Sequence, residues 1–135
     1  MKLVVDTNII IAALIKDNIS RKVLFNPNFK FLSPDYLITE ILKYKDEIID
    51  KTNISVEDFE VALIFILKNI NLLPIEEYKE FLDEAKEIMG EVDKNDTPFI
   101  AAALVTKADI WSDDKHFEKQ NKVKIFKTKD LIKFM

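Results

Sequence analysis

The chain contains no cysteine. Disulfides, thiol nucleophiles and zinc sites built on thiolates are excluded, and a reducing cytoplasm is the expected setting. Glycine is nearly missing, with one residue in 135, and proline is sparse, with four. With so few turn formers, helices and strands should fill most of the length. No apolar run approaches the roughly 18 residues of a membrane span, so no membrane is expected as a partner. The apolar N-terminus is interrupted by Asp6 and Asn8 and lacks a cleavage site, so it does not read as a signal peptide. Positive charge is not in excess either. A formal net charge of -4 argues mildly against a surface coated for nucleic acid.

What is present is a globular composition. Hydrophobic residues make up 48% and charged residues 33% of the chain, as expected of an ordered protein. The 135 residues suffice for one hydrophobic core, so a single domain over residues 1–135 is expected. Charge is unevenly spread. Residues 76–96 carry nine acidic and three basic side chains, whereas residues 107–135 carry eight lysines against five acids. A polarised surface is one reading of this; two ordinary solvated faces are the other.

The apolar pattern predicts short strands over residues 2–5, 29–32, 70–75, 108–111 and 123–126. Helices are predicted over residues 8–14, from Ser20 to about Asn26, from Ser33 to about Asp50, from Ser55 onward, over 76–89 and over 98–106. A short helical stretch over 115–119 and a closing helix over 130–135 complete the reading. Ser33-Pro34 reads as N-cap and first helical residue, with Leu37, Ile38, Ile41, Leu42 and Tyr44 on the core side of that helix. Gly90 should end the helix before it. Short all-apolar strands alternating with longer helices give an α/β domain with a mainly parallel sheet, covered on both faces.

In such a sheet, sites form beyond the carboxyl ends of the strands. Asp6 directly ends the first, buried strand, where an unpartnered charge would be expensive. Asp114 follows the fourth strand in W-S-D-D-K-H-F, and Asp96 opens the alanine-rich helix in N-D-T-P-F-I-A-A-A-L. Glu40 lies in I-T-E-I-L, at the boundary of the core side of its helix. Singly, each has a plainer reading: Glu40 as a solvated helix residue, Asp96 as a helix cap, Asp114 as a loop acid. Together they cannot all stay ionised unless something positive sits among them. A hard divalent cation, Mg²⁺ or Mn²⁺, meets that need with oxygen ligands and brings phosphodiester chemistry with it. Asn8 and Ser112, with Thr7 behind them, are the candidates for holding these carboxylates in orientation. Asp93 is an auxiliary candidate or merely part of the acidic run. His116 is read as an exposed loop histidine, with a phosphate contact or an acid as the alternative, and Trp111 as core, with a base-stacking platform as the alternative.

The stretches D-T-N-I-I-I-A-A-L, I-T-E-I-L, D-T-P-F-I-A-A-A-L and S-D-D-K-H-F resemble the four acidic motifs of the PIN-domain nucleases. The resemblance covers essentially the whole chain. It implies an α/β/α sandwich whose acidic cluster binds Mg²⁺ or Mn²⁺ and cleaves RNA. Asp6, Glu40, Asp96 and Asp114 would be the metal-binding, catalytic acids, Ser112 the hydroxyl residue two before the last acid, and Asn8 the polar residue steadying Asp6. Where many members carry a further acid two residues after the fourth, this chain has His116, and Asp113 could compensate only with its side chain turned inward. Small prokaryotic members act as toxins of toxin–antitoxin pairs and form homodimers, so an antitoxin and a second copy are the implied protein partners. Lys107, Lys115, Lys119, Lys122 and Lys124 are candidate phosphate contacts. The competing reading is a catalytically silent PIN-like or RNA-binding module.

Overall fold

In the computed structural model, which describes residues 1–15, 18–90 and 94–135, the chain enters through strand β1 (Lys2–Val5). It continues through helices α1 (Thr7–Ile15) and α2 (Asn18–Leu24) into β2 (Lys30–Pro34). Helices α3 (Tyr36–Lys43), α4 (Lys45–Thr52) and α5 (Val56–Leu67) then lead to β3 (Ile70–Leu73). Helices α6 (Ile75–Tyr78), α7 (Leu82–Met89) and α8 (Thr97–Thr106) precede β4 (Asp109–Trp111), with a 3-10 turn over Lys79–Phe81 between α6 and α7. A second 3-10 turn at Lys115–Lys119, β5 (Ile125–Phe126) and α9 (Thr128–Ile132) complete the order.

The strands form a sheet in the order β3-β2-β1-β4-β5. Every pairing is parallel, with Leu3 opposite both Phe31 and Asp109, and Val5 opposite Trp111. Strands covered on both faces need no polar alternation. Accordingly Leu3, Val4, Val5, Ile110 and Trp111 have no solvent exposure. The chain moves outward from β1 to β3, then returns past β1 to β4. Because such crossovers are right-handed, reversing direction puts the later helices on the opposite face and makes a three-layer α/β/α sandwich. Helix α8 packs on β1, β2 and β4. Ala101, Ala102 and Ala103 are buried there, since only small side chains let a helix backbone lie close to a sheet. Among the described residues no helix is long and apolar enough to cross a membrane.

Several local expectations hold. Ser55 caps α5, its hydroxyl accepting the Asp58 N–H at 3.0 Å. Gly90 closes α7 at φ 67° and ψ -148°, a region that costs any other residue dearly. Others are overturned. Ser33-Pro34 is not a helix start: both residues lie in β2, and helix α3 begins at Tyr36. The Ser33 hydroxyl donates to the Val5 carbonyl at 3.0 Å across the buried strand pair, a tertiary use that outcompetes local capping. The helix expected from Ser33 to about Asp50 breaks at Tyr44 into α3 and α4, and Leu42 is exposed rather than in the core. The helix expected over 76–89 is broken by the turn at Lys79–Phe81. Its break coincides with Tyr78, whose buried hydroxyl donates to Asp35 at 2.6 Å.

Candidate active site

The candidate site is assembled on the carboxyl edge of β1 and β4, where the winding of the sheet reverses. The Asp6 N–H donates to the Trp111 carbonyl at 3.1 Å, so the β1–β4 ladder runs one residue past the strand and sets Asp6 beside Ser112. The Ser112 hydroxyl donates to Asp6 Oδ2 at 2.8 Å and its oxygen accepts the Asp114 N–H at 3.0 Å. Asp114 Oδ1 in turn accepts the His116 N–H at 3.0 Å, which tightens the loop into its 3-10 turn. On the other flank, Thr7, the first residue of α1, donates its hydroxyl to Glu40 Oε1 at 2.7 Å. Glu40 therefore reaches back from the second turn of α3 toward the end of β1.

Asp96 completes the set. It stands at the N-terminus of α8 and makes no side-chain capping bond there; its carbonyl accepts the Phe99 N–H instead. Its carboxylate is directed at the site, with Oδ2 at 3.6 Å from His116 Nδ1, and the same nitrogen lies 3.6 Å from Asp114 Oδ1. The four acids thus lie in succession along one edge: Glu40 bonds Thr7, the chain neighbour of Asp6; Asp6 and the Asp114 N–H both bond Ser112; and the His116 ring lies 3.6 Å from Asp114 and from Asp96.

Electrostatics report the same clustering. Asp6 is buried, and desolvation, followed by the charges of Asp114 and Glu40, pushes its carboxyl from 3.8 up to about 6. The Ser112 hydrogen bond and the Asn8 backbone N–H oppose that rise. The acids nonetheless stand apart. Among the described residues no three acidic or histidine side chains are drawn together into a ready-made cation cage. Thr7, Ser112 and His116 bridge the spaces between them.

The other expected residues divide. Thr7 and Ser112 contact the acids as expected, and Trp111 is core, its indole N–H donating to Thr128. Asn8 acts on Asp6 through its backbone N–H, while its side chain is exposed. Asp113 does not compensate for a missing acid: both its oxygens accept from Thr128, at 2.8 and 2.7 Å, and tie down the start of α9. Asp93 lies outside the described residues. Lys107 is in the wrong place for the site. It follows α8 and precedes β4, at the amino edge of a parallel sheet whose acids lie on the carboxyl edge. Lys122 and Lys124 precede β5 on that same amino side. Lys115 adjoins Asp114, and Lys119 lines a groove with Glu84, Glu87 and Leu104. His116 is the residue that sequence reasoning undervalued. Its spacing two residues after Asp114 was visible, but the inward turn of its ring depends on the loop.

A family model described as PIN domain matches residues 4–131. No curated protein matches the sequence. Among solved structures, the chain is similar to VapBC2 from Rickettsia felis bound to a DNA fragment from their promoter, with TM-score 0.75 and 14% identity, over 94% of this chain and 98% of that one. It is also similar to a toxin–antitoxin complex from Klebsiella pneumoniae, with TM-score 0.60 and 14% identity, over 84% of this chain and 87% of that one. At such identities the structural likeness concerns the fold. The family match, however, spans nearly the whole chain and takes in Asp6, Glu40, Asp96 and Asp114, and on that ground the chain belongs to the PIN-domain family.

Proposed function

We propose that this protein is a Mg²⁺- or Mn²⁺-dependent ribonuclease, with Asp6, Glu40, Asp96 and Asp114 as its metal-binding acids, and that it is the toxin of a toxin–antitoxin pair. The observation that carries the reading is the succession of four carboxylates on the carboxyl edge of the sheet, with Asp6 held near 6 by its own burial and by its acidic neighbours. A protein that crowds negative charge in a buried place has a use for a cation there. Their all-oxygen donor chemistry fits Mg²⁺ or Mn²⁺. Bound between such carboxylates, a divalent cation lowers the pKa of a water and neutralises the charge that builds on a phosphodiester under in-line attack.

The side chains around the acids do the positioning. The Ser112 hydroxyl and the Asn8 N–H favour the ionised form of Asp6 and fix its orientation. Thr7 holds Glu40, and the His116 N–H holds Asp114. Lys115, next to Asp114 in the chain, is the candidate contact to an RNA backbone in this reading, with Lys119 in the groove beside Glu84, Glu87 and Leu104. Membership of the PIN-domain family favours RNA as the substrate, since these nucleases are known for cleaving it. The toxin assignment draws on the structural neighbour from Klebsiella pneumoniae, which is described as a toxin–antitoxin complex. An exposed apolar stripe on α5, formed by Val61, Ile64 and Phe65, with Phe25 against Phe65 at 5.4 Å, supplies a face for an antitoxin or a second copy of the chain. The spacing between the acids favours a second reading, a silent PIN-like module that binds RNA without cutting it.

Cleavage of end-labelled single-stranded RNA separates the two readings, run with Mn²⁺, Mg²⁺ or EDTA beside Asp96→Asn. Metal-dependent cutting that the variant loses is expected. Equal cutting by both proteins would remove the acid cluster from the mechanism, and no cutting by folded, partner-free protein on several RNAs would favour the silent module. Growth arrest on expression, relieved by Asp96→Asn, is the expected sign of a toxin.

A further inference from the structure

Helix α3 brings a second polar side chain to the site besides Glu40. Tyr36 precedes Glu40 by four residues, so the two share one face of α3. Glu40 reaches the start of α1 through Thr7, whereas Tyr36 reaches the start of α8: its hydroxyl donates to Asn95 Oδ1 at 2.6 Å. Its ring also meets Phe99, in the first turn of α8, edge-on with the centroids 6.5 Å apart. The turn that carries Tyr36 is a fixed base for this reach. The Asp35 N–H donates to the Leu73 carbonyl at 2.8 Å. The Asp35 carboxylate accepts the Tyr78 hydroxyl at 2.6 Å and the Ile75 N–H at 3.3 Å.

Asn95 directly precedes Asp96, and the backbone there decides where the Asp96 carboxylate points. An aspartate at a helix N-terminus ordinarily takes an extended backbone and turns its carboxylate onto the second or third N–H of the helix. Asp96 instead has helical values, φ -81° and ψ -21°, and makes no such bond. Pro98 offers no N–H, and the Phe99 N–H goes to the Asp96 carbonyl at 3.1 Å. A firm hold on the preceding residue keeps the chain in this conformation. We infer that Tyr36 is a positioning residue for the proposed reaction: by holding Asn95 it keeps the Asp96 carboxylate in register with Glu40. The inference rests on the nuclease reading above and adds to it the side chain that couples acids from two different helices. The coupling matters because a misplacement of about 1 Å can slow a reaction about 100-fold.

The test compares the full chain as wild type, Tyr36→Phe, Asn95→Ala and the double variant. Tyr36→Phe keeps the ring against Phe99 and deletes only the hydroxyl. On end-labelled RNA with Mn²⁺, kcat should fall roughly 10–100-fold in each single variant with KM unchanged. The double variant should fall no further, because both changes cut the same bond. A second readout needs neither cation nor RNA. His116 is the only histidine in the chain, and its ring lies 3.6 Å from Asp96 Oδ2. Its ring proton resonances, recorded in EDTA at one fixed pH, therefore report the position of Asp96 and should shift in both single variants. Thermal unfolding verifies that each variant is folded. Unchanged His116 resonances, a kcat equal to wild type, additive losses, or a raised KM with kcat held would each overturn this inference and leave the nuclease reading standing. A wild type that cuts no RNA would overturn the nuclease reading and the catalytic part of this inference with it. The His116 resonances would then decide whether Tyr36 places Asp96.

Discussion

Replacing Asp6 by Asn should make the cation-free protein more stable at neutral pH, although it removes a residue of the proposed active site. Asp6 is 4% exposed, and its carboxyl is raised from 3.8 to about 6, chiefly by desolvation and then by the charges of Asp114 and Glu40. An acid with a higher pKa in the folded state than in the unfolded state binds protons more tightly when folded. Stability is therefore lost as pH climbs from about 4 through about 6, and the loss is complete above that window. Each tenfold change in proton affinity is worth about 1.36 kcal/mol, which sets the penalty in the cation-free protein at about 3 kcal/mol. Asn has the same shape, accepts the Ser112 hydroxyl through its amide oxygen and carries no charge. It forfeits the strength that the charge gives to the bonds from Ser112 and the Asn8 N–H, so the net gain should be ~1–3 kcal/mol. For a chain of 135 residues this corresponds to a rise in Tm of roughly 3–10 °C.

The assay is thermal unfolding by circular dichroism in EDTA, for wild type and Asp6→Asn, from below the unfolded carboxyl value of 3.8 to mildly alkaline pH. The two melting curves should nearly coincide at the acid end, where Asp6 is protonated in both states of the wild type. They should separate as pH rises from about 4 to about 6 and keep a constant gap above that. Saturating Mn²⁺ should narrow or reverse the gap, because a cation that binds the native wild type stabilises it by mass action. A variant less stable than wild type at every pH, or a gap of constant size from acid to neutral pH, would refute the reasoning: Asp6 would then be part of a satisfied polar network and not a stored electrostatic cost.

Ser112→Ala should act in the opposite sense on the same carboxylate. Removing the 2.8 Å bond leaves Asp6 less supported, so stability at neutral pH should fall by ~1–2 kcal/mol in urea unfolding, and Mn²⁺ affinity by roughly 10–100-fold in calorimetry. Lys107→Gly separates a basic residue on the wrong edge from the site. Lys107 sits at φ 57° as the left-handed residue ending α8, a conformation that glycine adopts freely. The variant should gain ~1 kcal/mol of stability while its RNA cleavage and the salt dependence of RNA binding stay unchanged; a loss of either would return Lys107 to the RNA-binding surface.

The sequence by itself determined the α/β class and the positions of the strands, and it singled out the four acids proposed for the site. These features are carried by short-range patterns: unbroken apolar runs that only a doubly covered strand can use, and carboxylates directly after them. Tertiary structure decided the rest. Ser33-Pro34 satisfies every local rule for a helix start, yet the Ser33 hydroxyl is more valuable to the Val5 carbonyl across a buried strand pair, where an unsatisfied carbonyl would be costly. Asp113 and Asp114 are adjacent and chemically identical, but one serves Thr128 and the other joins the acids of the edge, because the loop after β4 turns them apart. Lys107 and Lys115 bracket the same strand, and only the parallel direction of β4 says which of them shares an edge with Asp6. His116 differs from a loop histidine by the rotation of one ring toward Asp96, a residue 20 positions earlier that the sheet topology alone brings within reach. Local patterns record which side chains the backbone near them can accommodate. Which carboxylate meets which hydroxyl or imidazole is settled only when β1 and β4 pair and α8 closes over them.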